Sequence, residues 1–360
     1  MSLSEIIIQK IKQEGPINFR DFMEMALYYP ELGYYTSAHE KLGKKGDYYT
    51  SPYLTPVFGA MIAKQIEEMW HVMGKQDFTI VEYGAGTGIL CYDILAYLRN
   101  NSKLYEQLSY CIIEKSPTLR KKQKILLHEK VSWYDSIDEI GEINGCILSN
   151  EVLDNFSVHQ VVMEDELMEV FVDHRRDFVE ILKPASAAVI EYMDELGVNL
   201  PQGFRTEVNL EATTWIQQIA SVLKSGFVLT IDYGYSSSEL YRPSHRCGTI
   251  VCYRDHQVID SPYHQIGEQD ITSHVNFSAL CHWGYKNGLT CCGLTSQAQF
   301  LLAHGYRDYL MKTADTGKSI VEAAKQTAFV TRTLLLDMGN KFKVLIQQKG
   351  ISGKTMIHLI

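Results

Sequence analysis

Short apolar runs alternate with amphipathic segments between residues 78 and 149. The apolar runs predict buried strands at Phe78–Glu82, Tyr110–Glu114, Val131–Tyr134 and Gly145–Ser149. The segments between them predict helices at Gly88–Asn100 and Ser116–His128. Strands that alternate with helices are typical of a parallel sheet covered on both faces. The pattern therefore predicts an α/β, Rossmann-like domain.

The pattern changes near residue 157, where apolar and polar residues begin to alternate between turn signals. An inserted antiparallel meander is predicted at Val158–Met163, Leu167–Asp173 and Phe178–Leu182. Helices at Ala185–Leu196 and Glu211–Leu223 follow, and Phe227–Ile231 is predicted to be a further buried strand. Towards the C-terminus we predict helices near 277–287, 297–303 and 318–336 and a last strand at 342–347.

The N-terminal region reads as two helices, Ser4–Lys12 and Asn18–Tyr28, followed by a loop from Pro30 to Pro56. A second long loop is predicted from Asp232 to Gln269. Loops of this length are uncommon unless they have a function. We therefore expect a helical and loop cap at 1–76, a sheet domain at 77–156 and 209–360, and an inserted β-rich subdomain at 157–208.

Composition and charge narrow the class of protein. The 360 residues carry a net charge of −9, so the chain lacks the basic balance typical of a nucleic-acid binder. The eight cysteines contain no C-x2-C pair, so neither a disulfide framework nor a metal site is expected. The first residues do not resemble a targeting peptide, and no apolar run is long enough to span a membrane. We expect a cytoplasmic protein without membrane insertion.

A glycine-rich turn joins the first predicted strand to its helix. Its sequence is Glu82-Tyr-Gly84-Ala85-Gly86-Thr87-Gly88, with glycine at alternate positions. Glycine lets the backbone turn tightly and approach a ligand closely. The dinucleotide fingerprint requires glycine at position 89, which is Ile89 here, and the acid at Glu82 would repel a pyrophosphate. S-adenosylmethionine carries an ammonium and a sulfonium but no phosphate, so the turn favours this cofactor.

Acids and amides follow the other strands at the same edge of the predicted sheet. Glu114 ends the second strand, where it could accept the ribose hydroxyls of an adenosine or brace the helix that opens at Ser116. Asp135 and Ser136 follow the third strand and could reach the adenine amine or serve as turn residues.

The fourth strand is followed by Asn150, Glu151 and Asp154. Since the carboxyl ends of parallel strands face the ligand crevice, we expect Asn150 to line the cofactor. Glu151 and Asp154 are the candidates for holding the methyl acceptor, because carboxylates orient an amine or a guanidinium. Alternatively, Asp154 only caps a following helix.

The chain resembles the MidA-like family of class I methyltransferases, which includes a mitochondrial protein-arginine methyltransferase that assists complex I assembly. The matching segments are Gly15-Pro-Ile17, Phe22-Met23, Gly33-Tyr-Tyr35, Gly46-Asp-Tyr-Tyr-Thr-Ser-Pro52, Phe58-Gly59, Glu82 to Gly88, Asp93-Ile-Leu95, Asn150 to Asp154, Ile231-Asp-Tyr-Gly234, Gly248-Thr249, Cys252 to His256, Asp270-Ile-Thr272 with His274-Val275 and Phe277, Gln297 with Phe300-Leu301, and Met338-Gly339 with Phe342-Lys343.

The resemblance implies a seven-strand methyltransferase sheet interrupted by extra elements, and a protein arginine as the acceptor. It implies a protein partner, with a respiratory-complex subunit as one candidate. We expect Glu82 to receive the methionine ammonium. Residues Asp47, Tyr49, Thr50 and Ser51 are expected to close over the cofactor, and Asp232, Tyr233, Gly234 and His256 to frame the substrate mouth, with His256 as a candidate base.

Three other classes of function remain open at this point. A small-molecule methyltransferase would use the same cofactor on a metabolite. An assembly factor would bind the cofactor and a partner without turnover. A nicotinamide oxidoreductase is disfavoured by Ile89.

Overall fold

The computed structural model describes residues 1–37, 51–254, 257–313 and 320–351. The strands, in chain order, are β1 (Ile17–Asn18), β2 (Phe78–Tyr83), β3 (Leu108–Ile113), β4 (Val131–Tyr134), β5 (Ile143–Asn150), β6 (His159–Met163), β7 (Leu167–His174), β8 (Phe178–Pro184), β9 (Arg205–Val208), β10 (Leu223–Tyr235), β11 (Val251–Arg254), β12 (Gln257–Ile259), β13 (Asp270–Thr272), β14 (Val275–Asn276), β15 (Thr290–Ser296) and β16 (Phe342–Lys349).

The α-helices are α1 (Leu3–Glu14), α2 (Phe19–Tyr28), α3 (Ser51–Leu54), α4 (Pro56–Val72), α5 (Ile89–Leu98), α6 (Ser102–Gln107), α7 (Pro117–Leu126), α8 (Ala187–Glu195), α9 (Leu210–Val222), α10 (Ser237–Leu240), α11 (Phe277–Lys286), α12 (Gln297–Ala303), α13 (Tyr306–Thr313) and α14 (Ile320–Arg332). A π-helical turn, Thr333–Asp337, follows α14. Within the described ranges, no helix is both long and apolar enough to cross a membrane.

The chain forms two compact units. One comprises Met1–Tyr48, Leu153–Ile216 and Gly234–His282, and we call it the meander unit. The other comprises Tyr49–Val152, Gln217–Tyr233 and Trp283–Ile360, and we call it the sheet unit. Each unit is therefore assembled from three separate stretches of the chain.

The sheet unit is built on a mixed sheet with strand order β15-β16-β10-β5-β2-β3-β4. Strands β10, β5, β2, β3 and β4 are parallel, whereas β16 runs antiparallel to both β10 and β15. The last residues of β10, Gly234 and Tyr235, pair with β14, so the sheet has eight strands among the described residues, where the family resemblance implied seven. Because five strands are parallel, their carboxyl ends meet at one edge of the sheet.

Helices α4 and α5 cover one face of this sheet. Phe58 and Ile62 of α4 and Ile94 of α5 are buried in a core that also contains Leu148 of β5 and Leu229 of β10. The two helices cross closely at Gly59, where a Cβ atom would come within 2.5 Å of Asp93 Cβ. Glycine at position 59 is thus a packing requirement, which explains one of the family matches physically.

The meander unit contains a five-stranded sheet with β1-β7-β6-β9 in order and β8 paired with β7. All its described pairings are antiparallel, as the alternating sequence predicts. Helices α1 and α2 pack on it and bury Ile7, Phe19 and Phe22 beside Val170 and Val172 of β7. Caps begin both helices: Ser2 forms a capping box with Glu5, and Asn18 accepts a hydrogen bond from the Asp21 amide.

The structure differs from the sequence prediction in the second long loop and in the domain boundaries. The segment from 232 to 269, predicted as a loop, includes the strands β11 and β12, which form a small antiparallel sheet with β13. These strands are three and four residues long, too short for periodicity to separate them from a loop. The domain boundaries also differ. Residues 56–72, predicted as part of the cap, form α4 and pack with the sheet, whereas residues 234–282, predicted as part of the sheet domain, belong to the meander unit.

Candidate functional site

The glycine turn after β2 adopts the backbone that its sequence requires. Gly84, Gly86 and Gly88 have φ angles of 60°, 55° and 88°, in the left-handed region where glycine is unstrained. A Cβ on Gly84 would come within 3.1 Å of the Val152 side chain. Ala85 is buried, and its carbonyl accepts a 2.8 Å hydrogen bond from the Gly88 amide. The turn is closed tightly at the carboxyl edge of the sheet.

A tyrosine of α3 also contacts this turn. The hydroxyls of Tyr53 and Thr87 lie 2.6 Å apart. Ser51, at the start of α3, is fully buried and its hydroxyl lies 3.4 Å from Gln297 Oε1 of α12. Ser51 therefore has a contact within the protein. The predicted cofactor contacts Asp47, Tyr49 and Thr50 lie outside the described residues.

Glu82 precedes the turn and its side chain is only 2% exposed. The Tyr110 hydroxyl of β3 donates a 2.8 Å hydrogen bond to Glu82 Oε2. Burial raises the pKa of the carboxyl from 4.5 to about 7; the Tyr110 hydrogen bond lowers this pKa and the Glu114 charge raises it. The sequence did not indicate this buried partner. That Glu82 receives the methionine ammonium stays a prediction.

Glu114 directly follows β3, the strand next to β2, at the carboxyl edge of the sheet. Its Oε1 accepts a 2.8 Å hydrogen bond from the Ser116 amide and its Oε2 accepts one of 3.1 Å from Gln123 Nε2. Burial raises the pKa of Glu114, against the lowering effect of these two contacts. Glu114 therefore does brace the residue that caps α7. Each carboxylate oxygen can accept a further hydrogen bond, so the predicted ribose contact remains open.

The polar pair after β4 has local partners. Asp135 accepts a 2.6 Å contact from Arg120, and the Asp135 side chain is largely exposed. Ser136 caps the short 3-10 helix Ile137–Glu139 through the Asp138 amide. Ser136 thus performs the turn function that the sequence offered as the alternative to adenine binding, whereas Asp135 pairs with Arg120 of α7, and contact with the adenine amine stays a prediction.

The backbone turns sharply where β5 ends. Glu151 has a φ of 53°, a left-handed conformation that is uncommon for a residue other than glycine. Its amide donates to the Ile231 carbonyl at 2.9 Å, and the next amide, Val152 N–H, donates to Asp232 Oδ2 at 3.2 Å. Backbone strain of this kind concentrates at functional sites, and here neighbouring strand β10 holds it in place.

That Tyr233, Gly234 and Asp232 frame the substrate mouth stays a prediction. Within the protein, Asp232 accepts the Val152 hydrogen bond. The residue is fully buried, and its other carboxylate oxygen accepts a 2.9 Å hydrogen bond from the Tyr233 amide. Tyr233 packs edge-on against Phe342 of β16. In the meander unit, Gly234 pairs closely with Val275, whose carbonyl would lie 2.1 Å from an added Cβ. These contacts give the three residues structural roles in β10.

Unsatisfied polar atoms also lie at the end of β5. Asn150 Nδ2 donates to Glu151 Oε1 at 3.2 Å, and no donor among the described residues reaches the buried Asn150 Oδ1. The buried Ser149 hydroxyl likewise has no hydrogen-bond partner within the part of the chain that the structure describes. Buried acceptors of this kind require a donor from a ligand or water. S-adenosylmethionine offers ammonium, adenine and ribose donors, so this edge fits the cofactor chemically.

Asp154 lies in the meander unit and is 3% exposed. Asn155 Nδ2 donates to Asp154 Oδ1 at 2.8 Å, and the Tyr35 hydroxyl lies 2.7 Å from Asn155 Oδ1 and 2.9 Å from Asp270 Oδ1. The backbone carbonyl of Asp154 accepts from the Ser273 amide at 2.9 Å. Asp154 occupies a 3-10 turn, Leu153–Asn155. The sequence did not foresee Tyr35 and Asp270, which are distant from Asp154 along the chain.

His256, the candidate base, is also outside the described residues. Among the residues that the structure does describe, no group of three or more His, Cys, Asp or Glu side chains is arranged to hold a metal ion.

Comparisons with known proteins identify the class. Residues 61–295 match the model of the family described as "Putative S-adenosyl-L-methionine-dependent methyltransferase". The chain also resembles a crystal structure from Burkholderia thailandensis bound to S-adenosyl-homocysteine, with 30% identity, a TM-score of 0.88, and coverage of 98% of this chain and 92% of that chain. The fold is an α/β methyltransferase fold with a mixed sheet, and S-adenosylmethionine is the cofactor.

The chain belongs to this S-adenosylmethionine-dependent methyltransferase family, which confirms the MidA-like resemblance. Its curated relatives include a Caenorhabditis elegans protein named Protein arginine methyltransferase NDUFAF7 homolog, mitochondrial, 28% identical over 95% of this chain and 85% of that protein. The Bos taurus protein arginine methyltransferase NDUFAF7 is 28% identical over 76% of this chain and 67% of its own length.

Proposed function

We propose that this methyltransferase methylates an arginine nitrogen of a protein substrate. The names of the relatives support this acceptor, since both are protein arginine methyltransferases. The observation that carries the proposal is the arrangement of Glu151 at the end of β5. Its backbone is left-handed, and its carboxylate accepts a hydrogen bond from the Asn150 side-chain amide. A guanidinium is always charged at neutral pH and presents a planar fork of donors that suits a carboxylate.

The cofactor supplies a methyl group on a positively charged sulfur. Glu151 would pair with the guanidinium, fix the plane of the acceptor nitrogen and stabilise the positive charge. Asn150 would hold the Glu151 carboxylate through its 3.2 Å contact. In-line transfer depends strongly on such orientation. The proton released by the methylated nitrogen would pass to a carboxylate or to water. Asp154 remains a second candidate for the acceptor.

The test is a labelled-methyl assay on the purified protein with a lysate of the host, followed by amino-acid analysis of the labelled proteins. We expect label in methylarginine. Glu151→Gln should lower turnover at least tenfold while S-adenosyl-homocysteine binds as tightly as to the wild type. Glu142→Gln, the same change at an exposed side chain paired with Lys224, is the matched control and should have no effect.

Label in lysine or in a small molecule would overturn the arginine assignment. Full turnover by Glu151→Gln would remove Glu151 from the mechanism. Cofactor binding without label in any acceptor would instead favour the assembly-factor alternative. A respiratory-complex subunit would be identified in the same assay from the mass of the labelled protein.

A further inference from the structure

A buried glutamine of α7 links the glycine turn to the acid that follows β3. Gln123 is fully buried. Its Nε2 donates to the Gly86 carbonyl at 2.8 Å and to Glu114 Oε2 at 3.1 Å. Its Oε1 accepts a 2.9 Å hydrogen bond from the Trp133 indole of β4. One side chain thus joins the glycine turn, the acid after β3 and the neighbouring strand.

The orientation of this amide is fixed by its partners. An indole N–H can only donate, so it requires the carbonyl oxygen of Gln123. The Gly86 carbonyl and the ionised Glu114 carboxylate can only accept, so they require the two N–H groups. A flipped amide would place acceptor against acceptor and donor against donor. The three contacts therefore agree on one orientation.

Gln123 also packs beneath the turn. A Cβ on Gly88 would come within 3.4 Å of Gln123 Cγ and 3.1 Å of Leu127 Cδ1. Since the amide has already used both N–H groups and accepts from Trp133, it is poorly suited to be a cofactor ligand itself. Its contacts instead fix the position of the Glu114 carboxylate relative to the Gly86 backbone.

We infer that Gln123 is a positioning residue for the cofactor. Gln123 orients the Glu114 carboxylate against the glycine turn so that both contact the adenosine part of the cofactor. This inference rests on the assignment of the turn and Glu114 to the cofactor site. It does not depend on arginine as the acceptor.

The contact also bears on the ionisation of Glu114. Burial raises the pKa of Glu114, while the Ser116 amide, Gln123, the Arg120 charge and the Lys115 amide lower it. Glu82, on β2, also interacts electrostatically with Glu114. Removing the Gln123 amide should therefore raise the pKa of Glu114 further. A protonated Glu114 is a poorer acceptor for ribose hydroxyls, so cofactor affinity should fall as the pH falls.

The experiment measures S-adenosyl-homocysteine binding by calorimetry at pH 6, 7 and 8, together with thermal unfolding. Gln123→Met keeps the size of the side chain but removes its polar contacts. We expect a loss of affinity of at most about tenfold to hundredfold, which is the full value of the hydrogen bonds that an ionised Glu114 would accept from the cofactor. The loss should be larger at pH 6 than at pH 8. Trp133→Phe removes the indole that donates to the Gln123 carbonyl oxygen, so it should weaken binding less than Gln123→Met. It provides the test if Gln123→Met fails to fold.

Gln65→Met is the matched control. Gln65 is a fully buried glutamine of α4 in the same unit, and its amide contacts Glu68. This variant should lower the melting temperature without changing affinity. In a double-mutant cycle, the effect of Gln123→Met should shrink when Glu114 is already alanine, because the two residues act together.

Wild-type affinity in Gln123→Met at all three pH values, with only a lower melting temperature, would overturn the inference. Equal, additive losses in the Glu114→Ala background would also overturn it. Both results concern cofactor binding alone, so they are distinguishable from a failure to methylate arginine.

Discussion

Replacing Glu82 by glutamine should change how the stability of the protein depends on pH. The side chain is buried on β2, and its pKa is raised from 4.5 to about 7, mainly by burial. The folded protein therefore binds this proton more tightly than the unfolded chain. The stabilisation from the protonated form is fully present below about pH 4.5 and is lost as the pH rises through about 7.

The size of the effect follows from the shift in pKa. Each unit corresponds to about 1.4 kcal/mol, so the wild type should lose roughly 2–3 kcal/mol from this group between about pH 5 and about pH 8. Glutamine does not titrate, and its oxygen can still accept from Tyr110. The free energy of unfolding of Glu82→Gln, minus that of the wild type, should thus increase by this amount over the same range.

Urea denaturation of both proteins without cofactor, at several pH values, gives this difference directly. Comparing the two cancels contributions from groups that do not interact with Glu82, including Asp93, whose pKa burial raises to about 6. A difference that stays constant with pH would refute the reasoning, because Glu82 would then be ionised throughout. Cofactor binding by the same variant also tests the ammonium contact, since losing the negative charge should weaken affinity at pH 8 more than at pH 6.

Two further changes test the packing and the backbone of the sheet unit. Gly59→Ala should destabilise the protein by about 1–3 kcal/mol, because the new methyl group would overlap Asp93 Cβ. Denaturant unfolding measures the change in the free energy of unfolding, and an unchanged value would contradict the close crossing of α4 and α5. Asp232→Asn should lower turnover more than cofactor affinity. The Val152 and Tyr233 amides donate to different oxygens of Asp232, so the NH2 group of asparagine would face one of these donors and disturb the backbone next to Glu151. Steady-state kinetics and calorimetry measure the two effects, and a larger loss of affinity than of turnover would contradict this reasoning.

The sequence predicted the parallel part of the sheet well, for a physical reason. A strand buried on both faces is a short apolar run between turn signals, and β2, predicted at Phe78–Glu82, is found at Phe78–Tyr83 with most of its residues buried. The predicted helix after Ser116 begins at Pro117, where Ser116 caps it. In each case, the signal lies within a few neighbouring residues. The same holds for the glycine turn, since its left-handed backbone is encoded by glycine itself.

Features that depend on distant parts of the chain were not predictable in this way. β15 was missed because Thr290–Ser296 is mostly exposed or half-buried and carries a bulge at 291–293, so its alternation is weak. Glu151 gives no local sign of a positive φ, since the conformation is held by β10, eighty residues later. Gln123 could have been suspected, because it lies four residues before the buried Leu127 and a buried amide requires partners.

Three buried acids at the carboxyl edge of the parallel strands share one property, which has a consequence for binding. Glu82, Glu114 and Asp232 are all buried, and each contacts an N–H or O–H donor of the protein. Burial raises the pKa of both Glu82 and Glu114, with the Glu114 charge adding to the effect at Glu82. A cation placed at this edge favours their ionised forms, so its binding and proton release are linked. Ionising Glu82 and Glu114 is therefore costly, and a sulfonium cofactor that carries an ammonium is chemically matched to relieve that cost.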